Sequence, residues 1–236
     1  MGYLLLEGGA EFGGRMSEPD LRAISLAGGF DVPVRIIPTA AAPDRNHNRA
    51  GNNGLRWFRN LGAKDVAVLP VIDRASADEP ILAEGLRSAK LIYLLGGFTG
   101  YLGQTLKDSR VWEAVQQAYQ NGAVIAGSSA GAMVLCEFYY DPATRQVAAG
   151  LNLLPRACVL PHHNTFGKDW APRLAEKLPG VTLVGIDERT GMVDDGSGVT
   201  WSALGQGAVS LYRAERIERH PAGEKFSLLA NQRETE

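Results

Sequence analysis

Short apolar runs alternate with amphipathic stretches over most of the chain. Runs of about four to six residues at Tyr3–Glu7, Val34–Pro38, Asp65–Pro70, Leu91–Leu95 and Ala123–Ala126 have the length and composition of buried strands. Between them, segments at about 17–27, 47–61, 78–88 and 109–121 read as helices. Ser17 before Pro19 and Asp20, and Ser109 before Val111 and Trp112, supply helix starts. Strands separated by single helices predict an α/β fold, a mostly parallel sheet sandwiched by helices. Beyond Pro155 the texture changes. Val181–Asp187, Thr190–Asp194, Val199–Leu204 and Ala208–Arg213 are separated by Asp-Gly, Ser-Gly and Gly-Gln-Gly turns, which predicts β-hairpins added to one edge of the sheet. No linker-like stretch or internal repeat interrupts the pattern, so residues 1–236 are expected to form a single domain, with a charged tail fraying from Ala222.

Composition changes this picture little. The 236 residues are 45% hydrophobic and 21% charged, enough for one sizeable core. A net charge of −2 favours neither nucleic acid nor an acidic membrane surface. The first apolar run is too short for a signal segment or a span, and Leu6 stands where a myristoylation motif needs Ser or Thr. A cytoplasmic protein is expected. Cys136 and Cys158 lack metal-ligand spacing and are expected to be reduced and buried.

The candidate chemistry starts at Gly127-Ser-Ser-Ala-Gly131, between a buried-strand pattern and the helix-compatible run Ala132–Cys136. A nucleophile on a sharp strand-to-helix turn needs flanking glycines, because side chains there would collide with neighbouring backbone. The following helix N-terminus aims amide N–H groups at developing negative charge. Ser129 is the central serine of this G-x-S-x-G motif and the amide of Ala130 the first oxyanion donor. Ser128 is the competing nucleophile, and a plain helix-capping or phosphate-binding turn would have the same letters.

A serine nucleophile needs a base, and the chain has four histidines. His47 lies in a polar run and His220 near the tail, where exposure is expected. His162 and His163 follow the strand-like Ala157–Pro161 and emerge at the sheet rim. Asp187 and Glu188, at another strand end, offer a carboxylate to orient an imidazole. The order serine, histidine, acid differs from the serine, acid, histidine order of α/β-hydrolases.

With Gly-Ser-Ser-Ala-Gly-Ala at 127–132, Leu-Pro-His-His at 160–163 and Gly-Ile-Asp-Glu-Arg-Thr at 185–190, the chain resembles the serine-peptidase family that includes aspartyl dipeptidase (peptidase E) and cyanophycinase. That family is similar in fold to class I glutamine amidotransferases. The resemblance runs from Leu6-Glu-Gly-Gly9 to the strands near 210. It implies Ser129 as nucleophile, His162 as base with His163 as the alternative, Glu188 as the acid, and Gly97 as the amide completing the oxyanion hole with Ala130. Three departures bear on the substrate. Phe98 replaces a commonly polar residue and becomes a pocket candidate. His163 stands where an aromatic residue usually follows the base. An arginine-rich run is replaced by Asn164–Trp170.

The expected function is hydrolysis of a small peptide or aspartyl-containing amide bond through an acyl-enzyme. The alternatives are an esterase using the same triad and a non-catalytic binding protein on the same fold. No cofactor and no metal are expected; the partner is a small peptide substrate, with no nucleic acid and no membrane, and a homodimer is compatible with the resemblance. Arg45, Arg49, Lys168 and Arg189 are candidates to clamp a substrate carboxylate.

Overall fold

The computed structural model describes residues 1–213 and 216–228. The first part of the chain runs β1 (Tyr3–Glu7), α1 (Ser17–Ala27), β2 (Val34–Ile37), α2 (His47–Asn60), β3 (Val66–Val68), α3 (Arg74–Ala77), α4 (Pro80–Arg87) and β4 (Leu91–Leu94). It continues through α5 (Thr99–Leu106), α6 (Arg110–Gln120), β5 (Val124–Ser128), α7 (Ala130–Val134), β6 (Phe138–Asp141) and β7 (Gln146–Ala149). The rest comprises β8 (Ala157–Leu160), α8 (Ala171–Lys177), β9 (Thr182–Ile186), β10 (Thr190–Asp194), β11 (Thr200–Gly205), β12 (Ala208–Arg213), β13 (Arg216–Pro221) and β14 (Lys225–Ser227).

The main sheet has the order β14-β11-β10-β1-β5-β4-β2-β3. From β1 to β3 neighbouring strands are parallel, and β10, β11 and β14 add antiparallel beyond β1. Side chains alternate between two cores, as the pleat requires. Leu4 and Leu6 of β1 enter the core shared with α4 to α7, whereas Leu5 enters the core shared with α1 and α2. Ile92 and Leu94 against Tyr93, and Ile125 against Val124 and Ala126, repeat the division. A sheet buried on both faces explains why its strands read as continuous apolar runs.

Three expectations are corrected. The helix expected over 78–88 is α4, started by Pro80; the single turn α3 before it, closed by the capping box of Asp73 and Ser76, was not expected. The later strands are not all added to one edge. β10, β11 and β14 extend the main sheet, while β8, β9, β12 and β13 form a second one. The expected fraying from Ala222 does not extend to β14, whose Phe226 pairs with Trp201 and is buried; residues 229–236 of that tail lie outside the described residues. His220 is partly covered, stacked on Phe226 with ring centroids 4.6 Å apart.

Cys136 and Cys158 are free and buried. Burial pushes both thiols up, Cys158 to about 12, so neither is a ready nucleophile. No helix among the described residues is long and apolar enough to cross a membrane.

Candidate active site

The C-terminal ends of β1, β4 and β5 open onto one rim, where ligands bind in open α/β sheets. β5 ends in Ser128, and Ser129 takes φ 48° and ψ −110° before α7 begins. Such a conformation costs a non-glycine residue of order 1–3 kcal/mol and needs surroundings that enforce it. They are present: the Ser129 N–H donates to the Glu7 carbonyl at 3.0 Å. A Cβ on Gly127 would collide with the backbone of Gly131, and one on Gly131 with the Leu94 carbonyl. The flanking glycines therefore fit the steric argument made from the motif.

His162 enters from the end of β8 and Glu188 from the end of β9. Ser129 Oγ lies 3.0 Å from His162 Nε2, and His162 Nδ1 lies 2.8 Å from Glu188 Oε1. The Asn164 side chain accepts from the Glu188 N–H at 2.9 Å. The turn after β1 ties these pieces together through its backbone. Gly8 carbonyl accepts from His162 N–H at 2.7 Å, and Gly9 carbonyl from Arg189 N–H at 3.0 Å. The imidazole is stacked on Phe166, ring centroids 4.9 Å apart, and it also lies against Gly9, where a Cβ would run into the ring. Gly9 also has φ +106°. Gly9→Ala is expected to displace His162 and lower kcat roughly 100-fold, as small misplacements of reacting groups do. Steady-state kinetics on any substrate the wild type turns over measures this; unchanged kcat would contradict the role given to the Gly9 contact.

His163, the alternative base, faces away from Ser129. It is buried, with Nε2 2.7 Å from the Tyr212 hydroxyl and Nδ1 3.3 Å from Asp187 Oδ1. Burial alone would raise the Asp187 carboxyl. The hydrogen bonds from His163 and the Ala208 N–H, with the charges of His163 and Arg219, outweigh it and hold the group below its ordinary range. Adjacent residues leaving a strand end point in opposite directions, so the two histidine–acid pairs part: His162 with Glu188, His163 with Asp187. His47, at the start of α2, has no recorded partner in the serine site. Ser128 is buried and donates to Glu11 Oε2 at 2.9 Å instead of meeting a histidine.

The amides of Gly97 and Ala130 stand at the ends of β4 and β5. Neither donates to a backbone carbonyl outside regular elements, and Ala130, as the first residue of α7, has no acceptor within its own helix. Beside Gly97 opens a cavity of about 540 Å³, which Phe98 helps to line. Arg45, Arg49, Lys168 and Arg189 are absent from its walls; among the described residues the cation that lines it is Arg56 of α2, held by Asn53 Oδ1 at 2.6 Å. Glu11 and Trp57 line it too. Sequence reasoning missed these residues. The usable signal was the three- and four-residue spacing of Asn53, Arg56, Trp57 and Asn60 along one side of a helix. No group of three or more His, Cys, Asp or Glu among the described residues is arranged to hold a metal ion.

Behind the cavity, Trp57 Nε1 donates to Asp20 Oδ2 at 2.7 Å, and the Tyr93 hydroxyl donates to Glu7 Oε2. Glu7 and Asp20 are fully buried and in side-chain contact. Glu7 Oε1 and Asp20 Oδ1 have no other partner, so one proton between them satisfies both. Burial raises both carboxyls, Asp20 to about 7 and Glu7 well above its usual value. A carboxyl raised on folding binds protons more tightly in the native state, so stability falls as pH rises from the unfolded value, about 3.9. Between about pH 4.5 and 7 the protein is expected to lose about 3 kcal/mol from Asp20. Asp20→Asn should flatten that slope in thermal melts across the window; an unchanged slope would count against the shared proton.

The profile of peptidase family S51 matches residues 4–201. Cyanophycinase from Synechococcus elongatus is 28% identical over 226 residues, covering 89% of this chain and 67% of its own. Cyanophycinase from Geminocystis herdmanii is 31% identical over 201 residues, covering 79% and 72%. The crystal structure of a peptidase from an acI-B1 Actinobacterium superposes with a TM-score of 0.85 at 31% identity, covering 96% of this chain and 97% of that one. A peptidase E-like protein from Listeria monocytogenes EGD-e shares the fold, with a TM-score of 0.61 at 18% identity over 94% of this chain and all of that one. The fold and these matches define a hydrolase of the serine peptidase class. The chain belongs to peptidase family S51.

Proposed function

We propose that the protein hydrolyses a small peptide or an aspartyl-containing amide bond through an acyl-enzyme on Ser129, on a fold of the class I glutamine amidotransferase type. The observation that carries the reading is the relay from Ser129 Oγ to His162 Nε2 at 3.0 Å and from His162 Nδ1 to Glu188 Oε1 at 2.8 Å. His162 takes the hydroxyl proton as the serine oxygen of this nucleophile elbow attacks the carbonyl carbon, and the Glu188 carboxylate stabilises the imidazolium that forms. The amides of Gly97 and Ala130 receive the oxyanion. The tetrahedral intermediate collapses as His162 returns the proton to the leaving amine. A water, deprotonated by the same imidazole, then hydrolyses the ester.

Arg56 supports an acidic substrate group, because a guanidinium pairs well with a carboxylate, and the relatives named cyanophycinase support an amide as the bond broken. The same reading sets the protein in the cytoplasm, takes a small peptide as its partner, gives nucleic acid, membrane and cofactor no part, and is compatible with a homodimer. The test is a panel of α-aspartyl dipeptides, β-aspartyl dipeptides and simple esters incubated with wild type and Ser129→Ala. Serine-dependent release from a peptide is expected. Release from esters alone would replace the peptidase reading with an esterase, and silence on every member would favour a binding protein.

A further inference from the structure

Phe166 presents an exposed surface that the reaction above does not use. The turn that carries it is closely fixed. The His162 carbonyl accepts from the N–H groups of Thr165 and Gly167, both at 3.0 Å, and from Thr165 Oγ1 at 2.9 Å. A Cβ on Gly167 would collide with the Pro161 carbonyl. From that turn the Phe166 ring lies nearly parallel to the imidazole, at 22°, with centroids 4.9 Å apart. Trp170 supports it, ring centroids 5.6 Å apart, and Trp170 in turn packs on the buried Tyr140 of β6 at 4.9 Å. A row of aromatic rings thus extends from the base and is anchored in the interior. Phe166 nevertheless remains 50% exposed. A lone exposed phenylalanine elsewhere on the surface would need no explanation; this one touches the imidazole that protonates the leaving amine.

We infer that Phe166, backed by Trp170, receives the side chain of the residue that leaves, and selects an aromatic or large apolar residue at that position. The inference rests on Ser129 as nucleophile and His162 as base. To take its proton the leaving nitrogen comes within hydrogen-bond reach of Nε2, about 3 Å, and the Cβ of its residue stands two bonds further on. A side chain growing from that point meets the ring stacked on the same imidazole. The acyl half of the substrate has different surroundings, the cavity beside Gly97 with Arg56 in its wall; neither Phe166 nor Trp170 is among the described residues that line it. Charge on the turn offers a leaving residue little, because Lys168 and Asp169, both exposed there, are of opposite sign. Covering the exposed ring removes apolar surface from water, and an aromatic partner adds a ring–ring contact.

The test reads the leaving side alone, by transfer of an acetyl group small enough to make no demand on the cavity. p-Nitrophenyl acetate acetylates Ser129: the serine oxygen bonds to the acetyl carbon, the serine proton passes to His162, and p-nitrophenol leaves. An amino acid amide then attacks the ester carbon from the place a leaving amine occupies. Its proton passes through His162 to Ser129 Oγ, and an N-acetylamino acid amide is released. Equal concentrations of phenylalaninamide and alaninamide compete on the full chain of wild type, Phe166→Ala and Phe166→Leu, with Ser129→Ala as background, and both products are quantified by mass spectrometry. In wild type the phenylalanine product should exceed the alanine product roughly 10-fold above background, the scale of one partly buried aromatic contact. That ratio should collapse toward unity in Phe166→Ala and fall only in part in Phe166→Leu. A ring that merely props His162 would, when removed, slow transfer to water and to both amines alike and leave the ratio unchanged. A ratio that survives Phe166→Ala, equal products from wild type, or an acetyl-Ser129 that yields only to water would overturn the inference and leave the nucleophile standing. The absence of Ser129-dependent p-nitrophenol release would remove the nucleophile, and the inference with it.

Discussion

Replacing Ser129 by alanine is expected to lower hydrolysis by roughly 10⁴- to 10⁶-fold, the scale on which serine relays fail when the nucleophile is removed. The fold should survive. Ser129 Oγ makes one recorded hydrogen bond, to His162, and the turn is enforced by the backbone bond to Glu7 and by Gly127 and Gly131, none of which needs the hydroxyl. Alanine at φ 48° keeps the strain that serine already bears. A melting temperature within a few degrees of wild type, with activity gone, is the expected pair of results. Activity retained within about tenfold would assign the chemistry to another group.

The second large effect concerns the paired histidines. His162→Ala is expected to cost nearly as much activity as loss of the serine, because without the imidazole nothing takes the hydroxyl proton or holds positive charge beside Glu188. His163→Ala should behave differently. It breaks the contacts to Tyr212 and Asp187 and leaves a buried carboxylate short of a partner, so a destabilisation of about 2–3 kcal/mol is expected. Activity per folded molecule should stay within a few-fold of wild type. Denaturant melts and kinetics on the two variants separate stability from catalysis; the reverse pattern would exchange the roles of the two residues.

Much of this arrangement was legible in the sequence where local pattern and tertiary role coincide. β1, α1, β10 and β12 fall on the residues that periodicity gave them. Ser129, the pair His162–His163 and the pair Asp187–Glu188 were legible because each leaves the end of a recognisable strand, a position that topology turns into proximity; the choice of His162 and Glu188 within the pairs came from the family resemblance. α5 was missed for a physical reason. Thr99, Gly100, Leu102, Gly103, Thr105 and Leu106 are all buried, so the helix has no polar face to set a period, and its glycines imitate a turn. One of them, Gly103, packs against Tyr139. The assignment of β9 and β12 to one sheet and β10 and β11 to another depends on long-range pairing between strands of similar character. Glu11 was hidden because an acid in a glycine-rich loop has the letters of solvated surface, and its meaning comes from Ser128, far along the chain.

The most direct test of the central claim is to treat wild type and Ser129→Ala with a simple fluorophosphonate and map the modified peptide by mass spectrometry. One adduct on Ser129 in wild type, and none on the variant, is the expected result. An adduct on Ser128, or none on wild type, would contradict the account.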